Sequence, residues 1–236
     1  MSDRNIVHMD LDSFFVSVER LQNSALNNRP IIIGGLSERG VVASCSYEAR
    51  RYGVHSAMPM KQARLLCPDA IFIRGDSQKY SDYSHMVTDV IAETVPLYEK
   101  SSIDEFYIDL SGMERFFGSW KLSQELKDRI KKETGLPISF GLSVNKTVSK
   151  VATGTAKPAG QKQVPHGEEK SFLSPLSVKT IPGVGAVTYR TLRQLGIQYI
   201  KTVQEMPREL LFKTLQKPGL ELWDKSQGIF RESQKT

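Results

Sequence analysis

Soft-metal and disulfide chemistry has little to work with in this chain. Its 236 residues hold two cysteines and four histidines, too scattered to assemble a zinc site. Cys45 and Cys67 stand in apolar or small-residue surroundings, so two buried free thiols are expected rather than a disulfide. Long hydrophobic runs are missing too. Nothing approaches the ~20 apolar residues of a membrane span, and the first residues show no basic-then-apolar pattern. No membrane partner is expected, and a cytoplasmic protein is. Internal repeats and low-complexity tracts are absent, which sets solenoids and disordered tails aside. What is present, 39% hydrophobic and 25% charged residues, suits a soluble globular chain with room for about two or three subdomains.

The net charge of +6 hides an asymmetry. Residues 1–114 carry 11 Lys/Arg against 16 Asp/Glu, whereas residues 115–236 carry 21 against 10. An acidic half that needs cations, joined to a basic half that can hold phosphates, fits a chain acting on a polyanion. Solvated lysines on helix faces read the same way, so charge alone leaves nucleic-acid binding open.

Asn5 to Leu11 alternates as a strand, with His8 and Asp10 on one face and Val7, Met9 and Leu11 on the other. Ser13 is placed to cap a helix bearing Phe14, Val18 and Leu21. Pro30–Gly35 and Gly40–Ser44 read as short strands, and Ser46–Tyr52 as helix. Tyr80 to Ile91 repeats at helical spacing. Leu97–Glu99 and Phe106–Leu110 form a hairpin, Leu122, Leu126 and Ile130 mark a helix, and Ile138–Val144 is a strand. Asn145 caps a helix ending before Pro158. Residues 159–169 are polar with Gly and Pro and read as a linker, beyond which everything is helical. This order is α+β with a largely antiparallel sheet.

Two stretches carry the chemistry. Met9-Asp10-Leu11-Asp12 and Ser102-Ile103-Asp104-Glu105 each put carboxylates at the border of a hydrophobic strand and a turn. Either pair alone also describes a solvated strand end. Together they predict Asp10, Asp104 and Glu105 converging on one sheet edge, where carboxylates repel unless a cation is present. Such an oxygen set suits Mg²⁺, and two ions ~3.5–4 Å apart stabilise both oxygens of an in-line phosphoryl displacement. The reading is metal-dependent nucleotidyl transfer.

Phosphate-binding candidates accompany them. Tyr47 and Arg50 lie three apart on one helix face, where guanidinium and phenol can both reach phosphate oxygens. Lys157 stands just past a helix. Ile181-Pro182-Gly183-Val184-Gly185 has the form of a helix-hairpin-helix. Gly183 and Gly185 would expose N–H groups to a DNA phosphate, with Arg190 and Arg193 on the helix that follows. An ordinary helix–helix turn has the same composition.

Taken in order, Met9-Asp10-Leu11-Asp12-Ser13-Phe14-Phe15, Tyr47-Glu48-Ala49-Arg50, Ser102-Ile103-Asp104-Glu105 and Ala156-Lys157-Pro158 resemble the Y-family translesion DNA polymerases, bacterial polymerase IV (DinB-like) branch. The resemblance spans about residues 5–230. It implies a palm with an antiparallel sheet at 1–12 and 77–168, small fingers at 13–76, and an all-α thumb with the helix-hairpin-helix at 169–236. It implies two Mg²⁺ ions (Mn²⁺ can substitute) on Asp10, Asp104, Glu105 and the Leu11 carbonyl. Phe15 would be the steric gate beneath the sugar, Phe14 its backbone-contributing neighbour, and Ser44, Tyr47, Arg50 and Lys157 the triphosphate contacts. Position 44 is Ser where Thr is common, which keeps the hydroxyl. Asp12 is not a usual ligand there, and a structural role near the helix start is expected of it. The partners implied are primer–template DNA and dNTPs, with a sliding clamp for the full-length protein; a monomer is expected. The family's C-terminal little-finger domain would begin about where the sequence stops, at Thr236. Two rival readings stay open: a palm-type nucleotidyl cyclase, and a non-catalytic DNA-binding module that kept the fold.

Overall fold

A computed structural model describes residues 4–37, 39–113 and 118–229. Residues 1–3, 38, 114–117 and 230–236, which fall in all three expected subdomains, lie outside the described residues. In chain order the elements run β1 (Ile6–Leu11), α1 (Phe14–Gln22), β2 (Ile31–Gly34), β3 (Val42–Cys45), α2 (Tyr47–Arg50), α3 (Met60–Leu66), β4 (Ile71–Ile73), α4 (Ser77–Thr94), β5 (Tyr98–Lys100) and β6 (Glu105–Asp109). Then come α5 (Ser119–Thr134), β7 (Ile138–Ser143), α6 (Lys146–Ala156), β8 (Gln161–Gln163) and the helices α7 (Glu169–Leu173), α8 (Ala186–Gln194), α9 (Ile200–Glu205), α10 (Arg208–Leu215) and α11 (Lys217–Ser226).

β1 is the middle of a five-stranded sheet ordered β5-β6-β1-β7-β8. It pairs antiparallel with β6 and β7, which sets Asp10 directly opposite Glu105 and Ser139. Period-2 alternation then divides the sheet into two faces. Val7, Met9 and Leu11 join Phe106, Phe140, α4 and α5 in the main core. Met9, Phe106 and Phe140 are fully buried, each worth roughly 1.5–3 kcal/mol relative to exposure. The opposite face carries His8, Asp10 and Glu105 and is covered by α6, where Ser149 Oγ donates to Ile6 O at 2.7 Å and Thr153 Oγ1 to His8 O at 2.9 Å. Gly141 permits that approach: a Cβ there would stand 2.3 Å from Ser149 O.

β2 centres a second sheet, antiparallel to β3 and parallel to β4, with its own core around Ile32, Cys45 and Met60. A third cluster joins Val148 and Val151 of α6 to Leu173, Leu192, Ile200 and Leu222 of the C-terminal helices. The α+β class is as expected, and both cysteines are free and buried. Asn145 caps α6 by accepting from Val148 N at 3.0 Å.

Two expectations need correction. Ser13 does not cap α1: its backbone is left-handed (φ 43°, ψ 52°) and its side chain makes no cap bond, since capping needs an extended residue. The stretch read as a linker contains β8, where Gln161–Gln163 add a parallel edge strand to β7. Its three polar side chains are exposed and leave no alternation to read.

Candidate active site

The end of β1, the turn into α1, the residues before β6 and the end of α6 meet at one open cleft of about 170 Å³. Asp10, Leu11, Phe14, Phe15, Ser44, Arg50, Asp104 and Lys157 all line it. Leu11 N donates to Asp104 O at 3.0 Å, fixing the second acidic stretch against the first. Ser102 Oγ donates to Asp104 Oδ1 at 2.7 Å. Tyr47 stands beside the cleft, with the Arg50 guanidinium 5.0 Å from its ring centre. Ser46 caps this short helix, so the Tyr47–Arg50 face is held where the spacing predicts it.

α6 and the residue that ends it serve the carboxylates: Lys150 and Thr153 share one face of the helix, and Lys157 follows it in extended backbone. Lys157 Nζ pairs with Asp10 Oδ1. Lys150 Nζ meets both Glu105 oxygens at 2.9 and 2.7 Å. Thr153 Oγ1 lies 2.8 Å from His8 Nδ1, and His8 Nε2 is 3.9 Å from Glu105 Oε2. Burial lowers the His8 pKa, opposed by the neighbouring Glu105. Burial pushes the Asp10 carboxyl up to about 7, opposed by Lys157 and reinforced by Asp104 and Glu105. His8 and Lys150 hold Glu105 down at about 2 against the cost of its burial. Ligand atoms of His8, Asp10 and Glu105 lie within 4.8 Å of one another, so the cluster can hold a metal ion. Asp104 lines the cleft with Asp10 but is not part of that cluster, and Glu105 is not among the residues lining the cleft.

Asp12 does not join the cluster of His8, Asp10 and Glu105. It is 2% exposed, Ser139 Oγ donates to both its oxygens at 2.9 Å, and Ala159 N donates to Oδ2 at 2.7 Å. Its side chain ties β1 to β7 and to the chain after α6, and its carbonyl accepts from Ser17 Oγ of α1 at 2.7 Å, so the role is structural. Tyr47 OH reaches it at 3.5 Å, and burial followed by the Asp12 charge pushes that phenol up to about 12.

Gly183, Gly185, Arg190 and Arg193 do not line the cleft. They are exposed at the turn into α8 and along it, with Gly183 at φ 96°. Lys225 Nζ of α11 donates to Pro182 O at 2.8 Å beside the turn. Sequence reasoning left His8 and Lys150 out of the site. The β1 alternation puts His8 on the Asp10 face, but no local pattern signals Lys150.

Residues 9–154 match the model of the impB/mucB/samB family. The chain is 43% identical over 213 residues to the DNA polymerase IV of Dehalococcoides mccartyi strain CBDB1, covering 89% of this chain and 55% of that protein. It is 39% identical over 234 residues to DNA polymerase IV 2 of Methanosarcina mazei, covering 97% and 63%. The chain thus spans about half the length of the first of these relatives. Among solved structures, the DinB crystal structure from Sulfolobus solfataricus superposes with a TM-score of 0.89 at 28% identity, covering 97% of this chain and 68% of that one. An insertion ternary complex of Dbh DNA polymerase gives 0.85 at 29% identity, covering 97% and 69%.

Proposed function

The chain belongs to the impB/mucB/samB family of Y-family polymerases, and from that premise we propose that it is the catalytic part of a template-directed, translesion-type DNA polymerase. The observation that carries the proposal is the cleft that gathers Asp10, Asp104, Phe15, Ser44, Arg50 and Lys157 from segments up to 147 residues apart. The proposed palm is the five-stranded sheet with α4, α5 and α6. The fingers are the β2 sheet with α2 and α3, and the thumb is the C-terminal helices.

The donor set fits a divalent ion of the Mg²⁺ type. Asp10 and Glu105 offer hard oxygens within one cluster, Asp104 and Leu11 line the same cleft as Asp10, and Asp10 carries a burial cost that a cation would relieve. Bound there, two divalent ions supply charge that lowers the pKa of a primer 3′-hydroxyl and neutralises the phosphates in flight. The protein's own residues do the rest. Arg50 offers a fork of donors to phosphate oxygens, and Lys157 exchanges Asp10 for the triphosphate. The Tyr47 hydroxyl, protonated throughout the neutral range, donates alongside Ser44. Phe15 forms the floor under the sugar, and the turn at Gly183 with Arg190 and Arg193 holds the DNA backbone, whereas Gly185 N is spent within the turn on Gly183 O at 3.2 Å.

Primer extension on a primed template with each dNTP and Mg²⁺ tests the proposal. The parent chain is expected to add templated nucleotides, and Asp10→Asn and Asp104→Asn to add none. Cyclisation of a free nucleoside triphosphate without extension would favour the cyclase reading instead.

A further inference from the structure

Phe15 does not meet the cleft unsupported. Its ring lies flat on that of Tyr80, with centroids 4.0 Å apart and planes 9° from parallel. Tyr80 sits in the first turn of α4 and is 2% exposed, its hydroxyl donating to Glu19 Oε1 at 2.6 Å. Glu19 follows Phe15 by four residues and so shares its face of α1. It is itself 7% exposed, and Lys79 Nζ contacts its two oxygens at 3.1 and 3.0 Å. Behind the Tyr80 ring the backbone is close, since a Cβ on Gly75 would stand 3.4 Å from Tyr80 Cε2. α4 is pinned at this end by Asp76, which accepts from Gln78 N and Lys79 N at 3.1 Å.

A buried carboxylate with two donors is a costly way to fill a core position that a leucine could fill. What it supplies is a defined place for the phenol, and through it for the ring stacked on top. Excluding a ribose 2′-hydroxyl is a matter of about an ångström, so a gate that can recede is no gate. We propose that Glu19, held by Lys79, is a positioning residue for sugar selection, fixing Tyr80 so that Phe15 cannot give way. The inference rests on the reading of Phe15 as the floor under the sugar.

Steady-state incorporation of dCTP and rCTP opposite template G tests it, with kcat and KM measured separately. Tyr80→Phe keeps the ring and removes the bond to Glu19; Glu19→Leu removes the carboxylate; Glu19→Gln keeps an acceptor oxygen. Tyr80→Phe and Glu19→Leu should lower the dCTP/rCTP preference about 3- to 10-fold, the worth of one hydrogen bond, chiefly through a lower KM for rCTP. Glu19→Gln should stay closer to the parent. A merely structural role would slow both sugars alike. Unchanged preference in Tyr80→Phe overturns the proposal, even if Glu19→Leu fails to fold. Phe15→Ala runs alongside: if it too leaves the preference unchanged, the gate reading itself falls. A parent that incorporates neither sugar overturns the polymerase reading.

Discussion

Asp10 and Glu105 face each other across the β1–β6 ladder yet are driven in opposite directions, Asp10 up to about 7 by burial and Glu105 down to about 2 by His8 and Lys150. Each group's contribution to stability therefore has its own pH window. Asp10 binds its proton more tightly in the folded state. Its contribution is full below its ordinary value of 3.8 and is lost as pH rises towards about 7. Glu105 does the reverse: its contribution is present above its ordinary value of 4.5 and disappears as pH falls towards about 2. Buried His8, with its lowered pKa, adds a slope opposite to that of Asp10, so a comparison is needed to isolate the aspartate. In EDTA, Asp10→Asn should gain melting temperature relative to the parent as pH rises from about 4 to 7, then hold that advantage. Added Mg²⁺ should stabilise the parent and not the variant. Parallel melting profiles in thermal scans, with and without Mg²⁺, would remove Asp10 from the metal site.

Asp12 lies two residues from Asp10 and answers to different forces. Asp12→Ala strands the buried Ser139 hydroxyl and removes the acceptor of the part-buried Ala159 N–H. It should cost about 2–4 kcal/mol, a fall of roughly 5–15 °C for a chain of this size. Asp104→Asn, at the rim of the cleft, should abolish incorporation while moving the melting temperature by less than about 2 °C. Calorimetry with a primer-extension assay on both variants separates the two roles; the reverse pattern would mean they had been assigned the wrong way round.

Those two aspartates mark what a local pattern can show. Asp10, Asp104 and Glu105 are legible because each stands where an apolar strand meets a turn, and strand pairing then brings the strand ends together. Tyr47 and Arg50 are legible because three residues on a helix is one face. Lys157 is legible only as part of an ordered motif set. Ser13 misleads because a cap depends on φ, and the turn out of β1 is left-handed there. β8 is missed because Gln161–Gln163 pair only through backbone at an exposed edge, where side chains carry no burial signal. The Lys150–Glu105 pair bridges 45 residues, and the Tyr80–Glu19 bond bridges 61. No spacing rule reaches that far, so a Tyr at helical spacing reads simply as core.

Lys157 spends its charge on Asp10 and, in the proposed reading, turns it to the triphosphate. Lys157→Met should raise the KM for dNTP about 10- to 100-fold, the worth of one charge-assisted hydrogen bond. It also removes the cation that opposes the upward shift of Asp10, so the Asp10-dependent melting window should extend to higher pH. Nucleotide titrations and metal-free thermal scans measure the two effects separately. An unchanged KM would mean that the triphosphate is held without Lys157.

The C-terminal turn gives the last prediction. Gly183 at φ 96° makes the turn, and no side chain caps α8 behind it. Arg190 and Arg193 follow on the exposed side of that helix, Arg193 bonded to Gln198. Each phosphate neutralised contributes about 0.9 to the salt slope of duplex binding. Replacing both arginines by Ala should therefore weaken primer–template binding equally on unrelated sequences and flatten the slope by roughly one to two. Phosphate contacts carry no base information, so sequence-selective weakening would point to base readout instead. Fluorescence anisotropy across a salt series decides the matter. If the double variant keeps both the affinity and the slope of the parent, the hairpin is a structural turn held by Lys225 on Pro182, and the DNA runs over another face.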